Sequence, residues 1–305
     1  MVGAGYLGRF HAQKYASEAG CRLVAVADPR PEAREALALE LGTTAVADHR
    51  ELLGKVDAVS VVTTTPAHFA IARDFLEAGA HVLVEKPITE TVEQARELIT
   101  IAARCGRILQ VGHLERFNPA IVAAESELVG ARFIDCQRLA PFKERGTDVN
   151  VVLDLMIHDI EIVLHLVKSP LIDVDAVGIP VLMQREDIAN ARLKFENGCI
   201  ANLTTSRVSP EKMRKIRVFQ SDCYLSLDYQ DQSGWIYRKD GHQIIREAVE
   251  IEKDEPLKLE IAAFIECARQ GKRPVVSGQE GAEALRIALQ ITDQIERNAS
   301  LASKA

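Results

Sequence analysis

Short β-branched runs alternate with longer stretches of helical spacing through the first third of the chain. Residues 23–27, 58–62, 81–84 and 108–112 read as buried strands. Residues 9–19, 31–41, 68–78 and 91–105 carry apolar positions at the spacing of helices. Strands alternating with helices predict a parallel sheet covered on both faces. Near Phe117, Asn118 and Pro119 the rhythm changes. Strand-like runs dominate at 131–139, 173–183, 188–195, 199–206, 214–220 and 223–229, broken by turn signals such as Glu196, Asn197 and Gly198. One strong helical pattern lies at 151–167, two more close the chain at 257–270 and 278–297, and residues 298–305 form a polar tail predicted to fray. The predicted class is an α/β domain over residues 1–119. An α+β domain with a largely antiparallel open sheet is predicted over residues 120–305.

At 305 residues, two domains are expected rather than one core. A net charge of −7 argues against nucleic acid or an anionic membrane as the main partner. It leaves room for a local basic pocket and an anionic small substrate. The six cysteines are scattered without metal or redox spacing, so reduced thiols and no metal site are expected. No apolar run reaches membrane-spanning length and no signal peptide opens the chain, which predicts a cytoplasmic protein.

Gly3, Gly5 and Gly8 form a G-x-G-x-x-G with Ala4, Tyr6 and Leu7 between them, opening a helix. The first two glycines allow a tight turn and close approach to a pyrophosphate, and the third lets helix and strand pack. Asp28 ends the next apolar strand 20 residues after Gly8, where a ribose-binding acid belongs in a Rossmann domain. Its carboxylate would bind the ribose hydroxyls and repel a 2′-phosphate, favouring NAD over NADP, while Arg30 weakens that preference. Thr64, Pro66 and His68, which follow the strand at 58–62, join Tyr6, Leu7, Glu85 and Lys86 in the expected cofactor set. Only Met1 and Val2 precede Gly3, too few for the central strand this motif requires, and the natural start is expected a few residues upstream.

Glu85, Lys86 and Pro87 follow the strand at 81–84, at the sheet edge where open α/β sheets bind ligands. Pro87 biases Lys86 toward an extended backbone. On the helical pattern at 151–167, uniform steps of about 100° put Asn150, Asp154, His158, Glu161 and His165 within one narrow stripe, with Asp159 outside it. Such a stripe fits a helix lining a wet cleft better than a broad solvated face. Asp154 and His158, four apart, can share a hydrogen bond that fixes the imidazole tautomer.

Gly3 to Gly8, the Glu85–Lys86–Pro87 run and the Asp154/His158 pair together resemble the Gfo/Idh/MocA oxidoreductases over essentially the whole chain. The resemblance implies that Lys86 lies beside the nicotinamide and the reacting carbinol. It also implies that His158, supported by Asp154, is the acid/base at the substrate hydroxyl. Glu161 and His165 match nothing in that pattern and are taken as structural. Arg116, Asn118, Lys143, Arg145 and Arg207 cluster as candidate substrate contacts, and in an acidic protein such cations fit a phosphate or diphosphate.

The runs around Arg116, Lys143 and Asp154 most resemble the branch of UDP-N-acetylglucosamine 3-dehydrogenases. This implies a nucleotide-sugar substrate and a 3-keto product for a partner aminotransferase in lipid A synthesis. An inositol or free-sugar dehydrogenase, an NAD-dependent glycoside hydrolase and a non-catalytic NAD-binding regulator remain open alternatives. A homodimer or homotetramer through the open sheet is expected.

Overall fold

Alternation of strand and helix gives α1 (Tyr6–Ser17), β1 (Ala25–Ala27), α2 (Pro31–Leu41), β2 (Thr44–Val46), β3 (Ala58–Val61), α3 (Thr65–Glu77), β4 (His81–Glu85), α4 (Val92–Cys105) and β5 (Leu109–Gly112). After these come α5 (Pro119–Ala124), β6 (Phe133–Leu139), α6 (Ile157–Val167), β7 (Leu171–Ile179), β8 (Ile188–Phe195), β9 (Ile200–Ser206), β10 (Met213–Phe219), β11 (Cys223–Asp228), β12 (Ser233–Asp240), β13 (Gln243–Ala248), α7 (Pro256–Gln270) and α8 (Gly278–Ala302). This is a computed structural model, and it describes residues 1–142 and 149–302. Lys143 and Arg145 lie outside the described residues. The chain divides into two compact units, Met1–Leu114 with Glu255–Leu285, and Glu115–Asp254 with Arg286–Ala305. Residues 255–285 thus fall with the first unit, not with the second domain expected to hold them.

In the first unit β3, β4 and β5 pair in parallel, as do β1 and β2. Val2 bridges the two pieces, pairing in parallel with Ala27 on one side and Val61 on the other. Val26, Val61 and residues 82–84 are fully buried, as continuous apolar strands covered on both faces must be. Leu83 packs with Tyr15 of α1 and with Leu257, Ile261 and Phe264 of α7. The unit is a Rossmann domain whose strands all end at the same edge.

In the second unit eight strands form one mixed sheet, ordered β13-β12-β11-β10-β6-β9-β8-β7, antiparallel everywhere except between β6 and β9. Its central strands alternate between a buried and a more open face. Ile134, Cys136, Ala201, Leu203, Ile216 and Val218 point to the buried face, against which α6 packs. Phe133, Phe219, Tyr224 and Tyr237 form a ladder on the other face, with successive ring centroids 5.6, 5.1 and 4.3 Å apart. The helix at 151–167 is not uniform. Val152–Met156 form a π-helical turn, with the Ile157 N–H reaching Val152 O, before α6 begins. The tail is also more ordered than expected, since α8 runs to Ala302 and Asn298 Nδ2 donates to Ala176 O.

Candidate active site

The glycine turn closes only on hydrogen atoms. Gly3 has φ +100°, and a Cβ there would fall 2.4 Å from Val62 O. A Cβ on Gly8 would fall 1.7 Å from Gly3 O. Gly5 differs, because a Cβ there would meet nothing within 4 Å. As N-cap of α1 it brings no side chain to the first-turn amides, which are the donors an anionic oxygen accepts from. Open space over Gly5, free of any need for a Cβ, fits the pyrophosphate of a dinucleotide. Leu7 packs into the cluster of Met1, Val26 and Leu37, while Tyr6 is exposed with its ring edge-on to Phe10.

At the end of β1, Asp28 is buried, and its carboxylate is already engaged. It accepts from Ala4 N at 2.7 Å, from Arg30 N at 2.9 Å, and from Arg30 Nε and Nη2 at 3.0 Å each. Burial raises the Asp28 pKa, but these hydrogen bonds more than reverse it and hold the carboxyl below its ordinary value. Thr64 and Pro66 open α3 and are exposed. His68 is buried instead, with Nδ1 2.9 Å from Pro87 O and Nε2 3.1 Å from Thr63 O. Burial keeps its pKa low against the pull of those two carbonyl oxygens.

Glu85 and Lys86 stand at the carboxyl end of β4, as the sequence predicts. Glu85 is buried and Lys86 half-buried. Glu85 Oε2 accepts the Lys86 backbone N–H at 3.2 Å, and Oε1 accepts from His11 Nε2 at 3.0 Å. The Lys86–Pro87 peptide is cis. Gly112, paired with Glu85 across β4 and β5, makes room for the carboxylate, since a Cβ there would lie 2.6 Å from Oε1.

In the second unit Asp154 lies in the π turn and His158 at the second position of α6, both half-buried. Asn150 starts this helix, accepting from Leu153 N at 2.9 Å and donating to Thr292 Oγ1 at 3.1 Å. The wider π turn advances less per residue than the uniform step assumed for the stripe, so the angular placement of Asp154 against His158 changes. The stripe is also not one wet face. Glu161 is buried and accepts from Arg116 at 2.7 Å. Asp159, the residue outside the stripe, is buried and takes two hydrogen bonds from Arg138, at 2.8 and 2.9 Å. His165 contacts Glu125 at 2.8 Å.

Two of the expected substrate residues belong to this network. Arg116 is 6% exposed and bound to Glu161. Asn118 caps α5 through Ala120 N and donates to Glu115 and to Tyr229 O. Arg207 is buried as well, donating to Val149 O at 2.8 Å just before the π turn. Arg116 and Arg207 are therefore buried against Glu161 and against the backbone just before the π turn. Sequence reasoning missed their carboxylate partners, and it missed His11, whose spacing three residues after Gly8 is its only local signal.

Residues 1–113 match the model of the oxidoreductase family with NAD-binding Rossmann fold, and residues 121–226 match the GFO/IDH/MocA C-terminal domain. The chain is 38% identical over 303 residues to a UDP-N-acetylglucosamine 3-dehydrogenase of Acidithiobacillus ferrooxidans, covering 97% of this chain and 96% of that one. A solved structure of that enzyme superposes with a TM-score of 0.93 over the same shares of the two chains. A scyllo-inositol 2-dehydrogenase (NAD(+)) of Bacillus subtilis is 26% identical over 316 residues, 96% of this chain and 92% of the other. No helix among the described residues is long and apolar enough to cross a membrane.

Proposed function

This chain belongs to the Gfo/Idh/MocA family of oxidoreductases, and from that premise we propose that it oxidises the 3-hydroxyl of UDP-N-acetylglucosamine to a ketone with NAD. The observation that carries the substrate is the 38% identity, nearly end to end, to a dehydrogenase of that name. NAD, when bound, supplies the acceptor for the hydride leaving the carbinol carbon. Gly3, Gly5, Tyr6, Leu7 and Gly8 would hold its pyrophosphate, and Asp28 its ribose, with Thr64 and Pro66 nearby. His158 takes the hydroxyl proton, with Asp154 orienting the imidazole. Lys86, as an ammonium, stabilises the oxygen as negative charge develops on it. The alcohol thus loses one hydride and one proton.

Lys143 and Arg145 are the cations we assign to the diphosphate. Arg116, Asn118 and Arg207, each engaged within the protein, act on the substrate only through the elements they hold. The ladder of Phe133, Phe219, Tyr224 and Tyr237 supports a homodimer or homotetramer built on that sheet face. A keto sugar of this kind is the substrate of an aminotransferase, consistent with a place in lipid A synthesis in the cytoplasm.

Incubation with NAD and UDP-N-acetylglucosamine, with a ketone trap, tests the reading. A product lighter by two hydrogens, formed together with NADH, is expected. Release of free sugar without net NADH would instead identify a glycoside hydrolase. Turnover of inositol but not of the UDP sugar would identify an inositol dehydrogenase. NAD binding with no turnover of any sugar would identify a regulator.

A further inference from the structure

Lys86 is flanked in sequence by two residues that buried histidines hold. On one side, His11 of α1 is fully buried and places Nε2 3.0 Å from Glu85 Oε1. Its Nδ1 lies 3.4 Å from Ser60 Oγ on β3, and Ser60 Oγ is 2.7 Å from the Tyr15 hydroxyl on α1. A buried hydrogen-bonded chain therefore runs from Tyr15 through Ser60 and His11 to Glu85. The same carboxylate accepts the Lys86 backbone N–H. On the other side, His68 of α3 places Nδ1 2.9 Å from Pro87 O and Nε2 3.1 Å from Thr63 O, so the neutral ring donates its one N–H to one carbonyl and packs against the other. The residues on either side of Lys86 are thus fixed to α1 and α3, which both open at the ligand edge of the sheet.

A carboxylate and a carbonyl in this position could have been satisfied by water or by backbone groups. Histidine instead gives each a rigid planar partner held by packing, with no long side chain left to reorient. Gly112 belongs to the same arrangement, because any larger residue would displace the Glu85 carboxylate. We propose that His11 and His68 are positioning residues that brace the Glu85–Lys86–Pro87 turn from two sides and so fix where the Lys86 ammonium points. The inference rests on the reading of Lys86 as the residue that stabilises the reacting oxygen.

The test uses the full chain with NAD and UDP-N-acetylglucosamine, and a second readout independent of turnover. That readout is acetylation of Lys86 by acetic anhydride in the cofactor-free protein, followed by peptide mass spectrometry. For His11→Leu we expect kcat to fall by about 10- to 100-fold with the KM for NAD changed less than about threefold. Lys86 labelling should shift by at least about threefold, the size of change expected when the groups that orient a site residue are lost, while Lys55 and Lys168 label as in the parent. His11→Gln, whose amide stands in for Nε2, should recover most of both effects, and His68→Asn, which keeps a donor for Pro87 O, should do better than His68→Leu.

In a Lys86→Arg background His11→Leu should cost little more, because groups that act as one unit are not additive. Unchanged Lys86 labelling in folded His11→Leu, or full additivity with Lys86→Arg, overturns the brace. Where His11→Leu does not fold, Glu85→Gln, which keeps the shape and removes the charge, decides on the same readouts. Normal turnover by Lys86→Ala would refute the role given to Lys86, and the labelling comparison would still decide the brace by itself.

Discussion

Arg30 donates to both carboxylate oxygens of Asp28, at 3.0 Å each, while its own side chain remains 61% exposed. A ribose that binds Asp28 must compete with this guanidinium, which is itself suited to a 2′-phosphate. With Asp28 taken as the ribose acceptor, the pair is expected to set the choice between NAD and NADP. Arg30→Ala should free the carboxylate, tighten NAD and weaken NADP, raising the ratio of their affinities by about tenfold, or 1.4 kcal/mol. Titration of both cofactors by fluorescence checks this, and an unchanged ratio would show that Arg30 plays no part in the choice.

Gly8 and Gly5 should separate in their behaviour. Gly8→Ala puts a methyl group 1.7 Å from Gly3 O, a backbone atom that cannot swing away as a side chain would. This variant should not fold stably. Gly5→Ala meets nothing within 4 Å, so its stability should stay within about 0.5 kcal/mol of the parent. The added methyl occupies the space assigned to the pyrophosphate, and NAD affinity should drop by about tenfold or more. Thermal melts and cofactor titration of the same two proteins distinguish a turn glycine from a binding glycine.

What the sequence reveals here is local. The glycine turn, Asp28 and the strand-end lysine follow from neighbours within a few residues, and the structure puts each where the pattern predicts. Three features lay beyond such reading. The π turn at Val152–Met156 escapes any analysis that assumes one constant step per residue. The hairpin of β12 and β13 hides because every residue of β13 is exposed and so shows no buried alternation; the Asp240–Gly241 turn was its only signal. The partners of Arg116 and Arg207 escape it too, because a sequence does not show which carboxylate or carbonyl will meet a cation. Glu161, the partner of Arg116, is 45 residues away.

Removing the assigned chemistry should leave binding in place. Lys86→Ala and His158→Asn should each lower turnover by about 10²- to 10⁴-fold, the usual share of a positioned proton-transfer or charge-stabilising group. Neither residue belongs to the glycine turn, so NAD binding should be largely kept. Asp154→Asn should lower turnover less than His158→Asn, because it removes the orienting group and leaves the base. Steady-state kinetics beside cofactor titration checks all three. Near-normal turnover in both Lys86→Ala and His158→Asn would refute the assignment.

Glu260 of α7 makes a pH-dependent prediction about stability. Both its carboxylate oxygens are buried without a hydrogen-bond partner. Burial, and then the charge of Glu85, push its pKa well above the ordinary carboxylate value. Unfolded, the same group titrates near its usual value of about 4.3. Between those two pKa values folding takes up a proton, so stability falls as pH rises from the unfolded value toward the folded one. Glu260→Gln has nearly the same shape and no charge to lose, so it should remove this term. The variant should melt close to the parent near pH 4 and above it near pH 8. If the difference in melting temperature between the two proteins is the same at both pH values, Glu260 is not held protonated in the folded state.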